Sequence, residues 1–360
     1  IIVPLIFSSI VSGVTGIGSA KNLGRMSAKT FGYYLTTSFF AIMTGLFMVN
    51  LLKPGKGADL GFSGIVEGLD VGAETFGQTL MNIIPVNIIE AMATGDMLSI
   101  IFFAILFGFF TTKVKPSFRQ PIEKTFNAIF EVMMQLTMFV IRFTPLGIFG
   151  IVSRMVAEHS DNLLPVMNSM GIYMIAVISA LAIHATITLP VLMRFIGRSN
   201  PLKHFRCMSV PLLTAFSTSS SNATLPLTLK AVEHNSGVSN ETTGFVLPLG
   251  ATINMDGTAL YECVAALFIA QAYGIELTLM QQAIVVITAL LASIGAAGIP
   301  MAGLVIITII LAAIGLPLEG VGLILAVDRI LDMFRTTVNV WSDSCGAVII
   351  ARSEGETLNV

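Results

Sequence analysis

The sequence predicts an all-α polytopic membrane protein, because it is too apolar and too poor in charge for a water-soluble surface. Of its 360 residues, 54% are hydrophobic and 11% are charged, and the mean hydropathy is +0.86, outside the usual range of soluble domains. Its apolar runs repeatedly reach about 20 residues, which span a bilayer core at about 1.5 Å per residue. The net charge is −2 with no basic block, so no nucleic-acid partner is expected.

The charge pattern of the loops predicts which side of the membrane each one faces. The apolar segments lie near residues 1–17, 30–52, 97–112, 126–156, 163–193, 207–230, 241–273, 281–316 and 318–351. The basic clusters that follow the first, third and fifth segments are Lys21, Arg25 and Lys29, then Lys113, Lys115, Arg119 and Lys124, then Arg194, Arg198, Lys203 and Arg206. Cytoplasmic loops carry an excess of Lys and Arg, so these three loops are predicted to be cytoplasmic. Lys53, Lys56 and Arg154 are minor exceptions on the predicted outer side.

Two segments are predicted to enter the membrane and return to the same side. Residues 201–235 place the polar run "STSSSNAT" between two apolar arms, with basic residues near both ends. Residues 281–316 would form a helix of about 54 Å, against a bilayer core of about 30 Å, and "GAAGIPMAG" interrupts them in the middle. Each segment therefore predicts a re-entrant helical hairpin. Paired, interrupted segments are typical of the binding sites of secondary transporters.

Each predicted hairpin precedes a helix with polar residues at membrane depth. In "GATINMDGTALYE", the Asn, Asp and Gly residues predict a helix break whose carbonyl and side-chain oxygens suit a hard monovalent cation. In the last segment Asp328, Asp332, Arg335, Asn339 and Asp343 are spaced to share one helical face. Ionisable groups at that depth indicate a substrate or ion path.

Four motifs in this order, "STSSSNATLP", "GATINMDGTALYE", "GAAGIPMAG" and "DMFRTTVNVWSD", closely resemble those of the glutamate/aspartate transporter family, the dicarboxylate/amino acid:cation symporters. The resemblance covers essentially the whole chain, and on the family pattern the chain starts within the second transmembrane helix. It implies an inverted-repeat elevator transporter with two re-entrant helical hairpins and two broken helices. It also implies a homotrimer in the inner or plasma membrane of a prokaryote, without enzymatic activity and without a cofactor beyond its coupling ions.

The resemblance implies a division of the chain into a static scaffold and a mobile transport domain. The scaffold comprises residues 1–29 and 77–160, and the transport domain comprises residues 30–52 and 161–352. Within the latter lie hairpin 1 at about 201–235, the broken helix at about 241–273, hairpin 2 at about 281–316 and the last helix at about 318–352.

The resemblance also implies roles for individual residues. The substrate positions are Arg335 and Thr258 for the side-chain carboxylate, Asp332 and Thr336 for the α-ammonium, Asn339 with backbone at Ser220 and Ser221 for the α-carboxylate, and Ile299 and Gly303 for closure. The sodium positions are Gly250, Asn254, Asn339 and Asp343 in one site, Thr252, Ser293, Ile294 and Ala296 in a second, and Tyr34, Thr37, Ser38, Asn254 and Asp256 in a third. The histidines His159, His184, His204 and His234 sit mostly at predicted helix ends and are interpreted as interfacial.

Arg335 and Asp332 together favour an acidic amino acid as the substrate, carried by sodium-driven symport. Relatives for neutral amino acids lack the Arg, and relatives for C4-dicarboxylates lack the Asp. L-glutamate and L-aspartate differ by one methylene, worth about 0.8 kcal/mol, so the sequence does not separate them. Glu262 is a candidate for added proton coupling or potassium counter-transport. The alternatives are a C4-dicarboxylate or neutral amino acid symporter of the same fold, an anion channel, or a membrane enzyme, for which no nucleophile–base set appears.

Overall fold

Helices make up the regular structure in the part of the chain that the computed structural model describes. That part comprises residues 2–17, 24–56, 84–143, 146–147, 149–150, 153, 157, 163–295 and 302–360. Three described stretches are long and apolar enough to cross a membrane, namely Arg25–Leu52, Met167–Phe195 and Asn240–Ala272. Shorter apolar helices cover Val3–Thr15, Ser99–Thr111 and Leu279–Ser293. The described residues contain no strand, in agreement with the predicted all-α class.

Two helices in the first half of the described chain begin earlier than the predicted apolar segments. Its helices are α1 (Ile2–Ile17), α2 (Gly24–Leu52), α3 (Ile88–Thr94), α4 (Met97–Thr111) and α5 (Pro116–Ile141). α2 begins before residue 30, so the predicted domain boundary at 29/30 falls inside one helix. Pro116 occupies a first-turn position of α5, where a missing N–H costs nothing. Arg119 and Lys124 therefore belong to a helix rather than to the predicted basic loop.

A π-helical turn interrupts the next long helical stretch. α6 (Leu163–Ile183) continues through the π turn His184–Thr188 into α7 (Leu189–Phe195). The N–H of Leu189 donates to the carbonyl of His184, five residues earlier, directly before Pro190, which has no N–H of its own. This widened turn keeps the stretch helical and sets the position of His184.

The polar run of the first predicted hairpin lies where two helices meet. After α8 (Pro201–Cys207), α9 (Ser209–Thr218) packs against α10 (Ser221–Lys230), which a π turn at Ala231–Asn235 extends. Ser219 ends α9 in the left-handed region at φ 51°. Ser220 is extended and caps α10, with its hydroxyl accepting the Ala223 N–H at 3.2 Å. The two serines between the helices thus form the turn.

The second half of the chain has a narrower helix break than predicted. Its helices are α11 (Asn240–Ile253), α12 (Asp256–Ala272), α13 (Leu279–Gly295), α14 (Ala302–Ala313) and, after a 3-10 turn at Leu318–Gly320, α15 (Val321–Ser353). Only Asn254 and Met255 separate α11 from α12, so Asp256, Gly257 and Thr258 of the predicted break form the first turn of α12. The second predicted tip, residues 296–301, lies outside the described residues.

α12 occupies the centre of the molecule. It is buried along nearly its whole length and packs against α2, α13, α14 and α15. Gly45 of α2 permits a close approach to α12, because a Cβ at that position would lie 3.0 Å from the Leu260 carbonyl oxygen. Elsewhere, α1 packs against α4 and α5. The residues that carry the polar motifs are therefore held around one central helix.

Candidate functional site

A buried arginine on α15 lies at the centre of a cluster of charged and aromatic groups. Arg335 is 2% exposed, and its Nη2 lies 2.9 Å from Asp332 Oδ1 and 3.1 Å from Asp328 Oδ1. The guanidinium carbon lies 3.9 Å from the centre of the Tyr261 ring, a distance at which a cation is attracted to the ring face. The Tyr261 hydroxyl donates to Asp328 Oδ1 at 2.7 Å. Two acids thus hold the guanidinium at Nη2, and one aromatic ring holds its face.

Two nitrogen donors of the guanidinium remain available. Nε and Nη1 of Arg335 are buried and have no hydrogen-bond partner among the described residues. Gly303 of α14 lies beside them, and a Cβ there would run into Nη1. Nε and Nη1 lie on different edges of the guanidinium, each beside Nη2, so a carboxylate that accepts two parallel N–H bonds uses Nη2 together with one of them. Buried donors without a partner are costly, so Nε and Nη1 are each suited to an anionic oxygen ligand.

Asn339 ties the start of α12 to α15. Its Oδ1 accepts the Gly257 N–H at 2.7 Å, and its Nδ2 donates to Thr258 Oγ1 at 3.2 Å and contacts Met255 Sδ at 3.2 Å. Gly257 is required for this approach, since a Cβ there would lie 2.5 Å from the Arg335 carbonyl oxygen. Thr336, on the same helix, is buried.

The predicted hairpin tips are only partly joined to this cluster. Ser220 uses its hydroxyl as a helix cap, and neither Ser220 nor Ser221 makes a polar contact with Asn339 among the described residues. The first tip approaches α15 through Phe216 and Phe334, whose ring centres are 5.1 Å apart. Two further predicted positions, Ala296 and Ile299, lie outside the described residues.

The first predicted cation set comes together around an acid one turn beyond Asn339. Asn254 Nδ2 donates to Asp343 Oδ1 at 2.9 Å and to Ser342 Oγ at 3.0 Å. Gly250 faces the same carboxylate, since a Cβ there would lie 2.5 Å from Asp343 Oδ1. Asn339 directs its own polar atoms toward α12 instead. Three of the four predicted members are therefore adjacent.

The third predicted cation set surrounds the carboxylate of Asp256. Its Oδ1 accepts from Ser38 at 2.7 Å, and its Oδ2 accepts from Ser342 at 2.6 Å. Nearby, the Thr37 hydroxyl donates to Asn254 Oδ1 at 3.4 Å. The Tyr34 hydroxyl lies on the same side of α2 but donates to the Val246 carbonyl at 2.7 Å.

A histidine that the sequence interpretation missed completes the surroundings of Asp256. His184 Nε2 lies 3.2 Å from Asp256 Oδ2, and its Nδ1 is buried without a partner among the described residues. The interpretation of this residue and of His204 as interfacial is wrong, because both are fully buried. His184 stands in an apolar run without a charged neighbour, so only its packing against α12 identifies it.

The second predicted cation set is not brought together by side-chain contacts among the described residues. Thr252 Oγ1 donates to the Pro248 carbonyl at 2.6 Å, and Ser293 Oγ donates to the Leu290 carbonyl at 3.0 Å. Ser293 instead borders a narrow cleft that Tyr34 and Ser38 also line. Ile294 lies in the last turn of α13.

Glu262 is a further buried acid of α12, next to Tyr261 in the sequence. It is fully buried on α12, and neither carboxyl oxygen has a hydrogen-bond partner among the described residues. A polar group buried without a partner destabilises the fold. Its presence in the central helix is therefore better explained by function than by packing.

The comparison with protein families decides between the classes of protein that this geometry allows. Residues 1–353 match the sodium:dicarboxylate symporter family. The chain belongs to this family. The resemblance noted in the sequence motifs is thereby confirmed.

Curated relatives of this sodium:dicarboxylate symporter chain include transporters from bacteria and animals. The proton/glutamate-aspartate symporter of Escherichia coli (strain K12) is 35% identical over 98% of this chain and 82% of its own length. Excitatory amino acid transporter 3 of Mus musculus is 36% identical over 98% of this chain and 76% of its own length. Excitatory amino acid transporter 3 of Homo sapiens is 35% identical over 98% of this chain and 76% of its own length.

Proposed function

We propose that this protein is a secondary active symporter that takes up acidic amino acids, L-glutamate or L-aspartate, driven by the sodium gradient. The observation that carries the proposal is the pair of buried, unpartnered donors of Arg335, Nε and Nη1, with Nη1 beside Gly303. The family match and the names of the relatives from Escherichia coli and Mus musculus support the same substrate class.

In this proposal the substrate's side-chain carboxylate binds the free donors of Arg335, and its α-ammonium binds Asp332. Asp332 then exchanges its contact with Arg335 for the ligand. Asp328 and Tyr261 keep their contacts with the guanidinium, so the arginine stays in position. Asn339 and the backbone at Ser220 and Ser221 would receive the α-carboxylate, at the start of a helix where N–H groups face an anion.

The coupling ions in this proposal are sodium ions held by oxygen atoms. The carboxylates of Asp343 and Asp256, both buried, are the negatively charged members of two of the three predicted sites. Hard cations prefer carboxylate, carbonyl and hydroxyl oxygens, which are the groups around these two residues. We propose the remaining set, with Thr252 and Ser293, on the resemblance alone.

The proposed mechanism moves a transport domain of residues 30–52 and 161–352 against a scaffold of residues 1–29 and 77–160. The packing of α2, α13, α14 and α15 on α12, and of α1 on α4 and α5, supports this grouping. We further propose two re-entrant hairpins, an elevator motion, a homotrimer and a multi-pass location in the inner or plasma membrane. The exposed apolar side chains of α5, such as Phe118, Val132 and Phe139, suit contact with lipid or with a second protomer.

Sodium-driven uptake into proteoliposomes tests the proposal. We expect labelled L-aspartate and L-glutamate to accumulate against an inward sodium gradient, with excess unlabelled L-aspartate blocking uptake and succinate or serine competing poorly. Arg335→Cys should abolish this uptake while the protein still folds, and Arg206→Cys, at an exposed position, serves as the control. Effective competition by succinate would favour a C4-dicarboxylate symporter, and retained acidic uptake by Arg335→Cys would refute the site assignment.

We propose in addition that Glu262 carries a proton or enables potassium counter-transport. Its carboxyl group, buried without a partner in α12, supports this role. In proteoliposomes, Glu262→Gln should weaken the dependence of uptake on external pH and on internal potassium. Glu241→Gln, at an exposed position, is the control. If both dependences are unchanged in Glu262→Gln, the residue has no coupling role.

A further inference from the structure

Two lysines that depart from the charge pattern of the loops line a cavity away from the Arg335 cluster. Lys53 and Lys56 follow α2 on the side that the sequence predicts to be the outer one. They border a cavity of about 330 Å³ between the end of α2, the end of α12 and the start of α13. Ligand pockets commonly range from about 300 to 1,000 Å³, so this cavity has room for a small ligand.

The walls of this cavity, termed here the Lys53–Lys56 pocket, are held by specific contacts. The side chain of Gln271 accepts the Gly55 N–H at 3.2 Å and donates to the Val49 carbonyl at 3.4 Å. Asn50 Nδ2 donates to Gln282 Oε1 at 3.0 Å, which joins α2 to α13.

The turn that carries the two lysines is packed closely against α12. A Cβ at Gly55 would lie 2.6 Å from the Ala272 nitrogen. The Ser169 hydroxyl donates to the Pro54 carbonyl from α6. The backbone between the lysines is therefore fixed from two sides before any ligand binds.

The described lining of the pocket carries a net positive charge. Lys53 and Lys56 contribute two ammonium groups, and Glu276 contributes one carboxylate. None of the three forms an ion pair within 4 Å with another described residue. Amide groups of Gln271 and Gln282 supply further polar lining. Two cations beside a concave, partly enclosed polar surface attract an anion.

We propose that the Lys53–Lys56 pocket binds an anionic oxygen group, a carboxylate or a phosphate, independently of the transport site. Each ammonium group donates to one oxygen of the ligand. The chemistry is shared by a free small anion and by the headgroup of an anionic lipid, since the pocket lies at the end of a helix long enough to cross the membrane. The inference does not depend on the substrate or the coupling ion of the proposed transport function.

Inorganic phosphate is the probe for the free-anion source. The test measures the thermal unfolding midpoint of the detergent-solubilised full chain at increasing phosphate concentration. Ionic strength is kept constant with chloride as the reference salt, and no amino acid substrate is present. Phosphate should raise the midpoint saturably, and Lys53→Gln/Lys56→Gln should weaken its apparent affinity by about tenfold or more, the loss expected for charged hydrogen bonds. Glu276→Gln, which removes the opposing carboxylate, should strengthen it.

Nanodiscs test the lipid source with the same variants. A higher unfolding midpoint in phosphatidylglycerol than in phosphatidylcholine nanodiscs, lost in Lys53→Gln/Lys56→Gln, would assign the site to a headgroup. The matched control is Lys113→Gln/Lys115→Gln, which removes two exposed lysines from another turn. The proposal is overturned if the substitutions at Lys113 and Lys115 weaken the effect of phosphate or phosphatidylglycerol on the unfolding midpoint as much as those at Lys53 and Lys56. It is also overturned if the substitutions at Lys53 and Lys56 change neither effect.

Discussion

The guanidinium of Arg335 stacks on the ring of Tyr261, with 3.9 Å between the guanidinium carbon and the ring centre. The same tyrosine donates its hydroxyl to Asp328, which also contacts Arg335 Nη2. One aromatic residue therefore holds the arginine by its face and also holds the acid that pairs with it.

Substitutions of Tyr261 should separate these two contacts. Tyr261→Phe keeps the ring face and loses only the hydroxyl, so we expect aspartate affinity within about tenfold of the wild type. Tyr261→Leu removes the ring, and a desolvated cation–π contact is worth about 2 kcal/mol, or about 30-fold. Isothermal titration with aspartate in saturating sodium measures both variants. Equal losses in the two variants would show that the ring face contributes nothing.

Gly250→Ala should impair cation binding without unfolding the protein. Its Cβ would lie 2.5 Å from Asp343 Oδ1 and 2.9 Å from the Tyr34 hydroxyl oxygen. Overpacking costs about 1–3 kcal/mol, so the sodium concentration for half-maximal aspartate binding should rise about 5- to 150-fold.

Gly244→Ala is the matched control for that substitution. Gly244 lies on the same helix, α11, and a Cβ there meets nothing within 4 Å. Because Ala favours helix over Gly, we expect unchanged sodium dependence and a slightly higher unfolding midpoint. A sodium dependence that shifts equally in Gly250→Ala and Gly244→Ala would contradict the placement of Gly250 beside the cation site.

His184 should act through the position of Asp256. Its Nε2 contacts one carboxylate oxygen, and Ser38 and Ser342 hold the carboxylate from other directions. His184→Ala removes one hydrogen bond to a charged group, so sodium affinity should fall about tenfold or more. His184→Gln can still donate to the carboxylate and should recover most of that loss. If Gln is no better than Ala, the hydrogen bond is not the relevant contact.

Glu354 should make stability depend on acid pH. Hydrogen bonds from Arg25 and then Lys29 lower the pKa of its carboxyl group from 4.5 to about 2. Because the pKa is lowered in the folded protein, this stabilisation is present above about pH 4.5 and is lost as the pH falls toward 2. The unfolding midpoints of the wild type and Glu354→Gln should therefore differ at pH 7 and converge on acidification. A difference as large at pH 2.5 as at pH 7 would contradict this account.

Local sequence patterns predicted most helices and the turn between α9 and α10, because both depend on neighbouring residues. Apolar segment length located α2, α12 and α15, and the run of serines located the turn at Ser219 and Ser220. Contacts between distant segments could not be predicted in this way. Asn339 completes the first turn of α12 from another helix, which makes the break narrower than its composition predicts. His184 lies in a π turn that packs against α2 and α15, and its contact with Asp256 of α12 joins residues far apart in the sequence.

The amide of Asn339 belongs both to the predicted substrate positions and to the predicted sodium positions, and its polar atoms already engage Gly257, Thr258 and Met255. Any ligand that recruits this amide therefore exchanges a contact at the start of α12. Asn254, just before that start, contacts Asp343. Both ends of the helix break are thus hydrogen-bonded to α15. Linkage is reciprocal, so under the proposed function sodium and amino acid must strengthen each other's binding by the same factor.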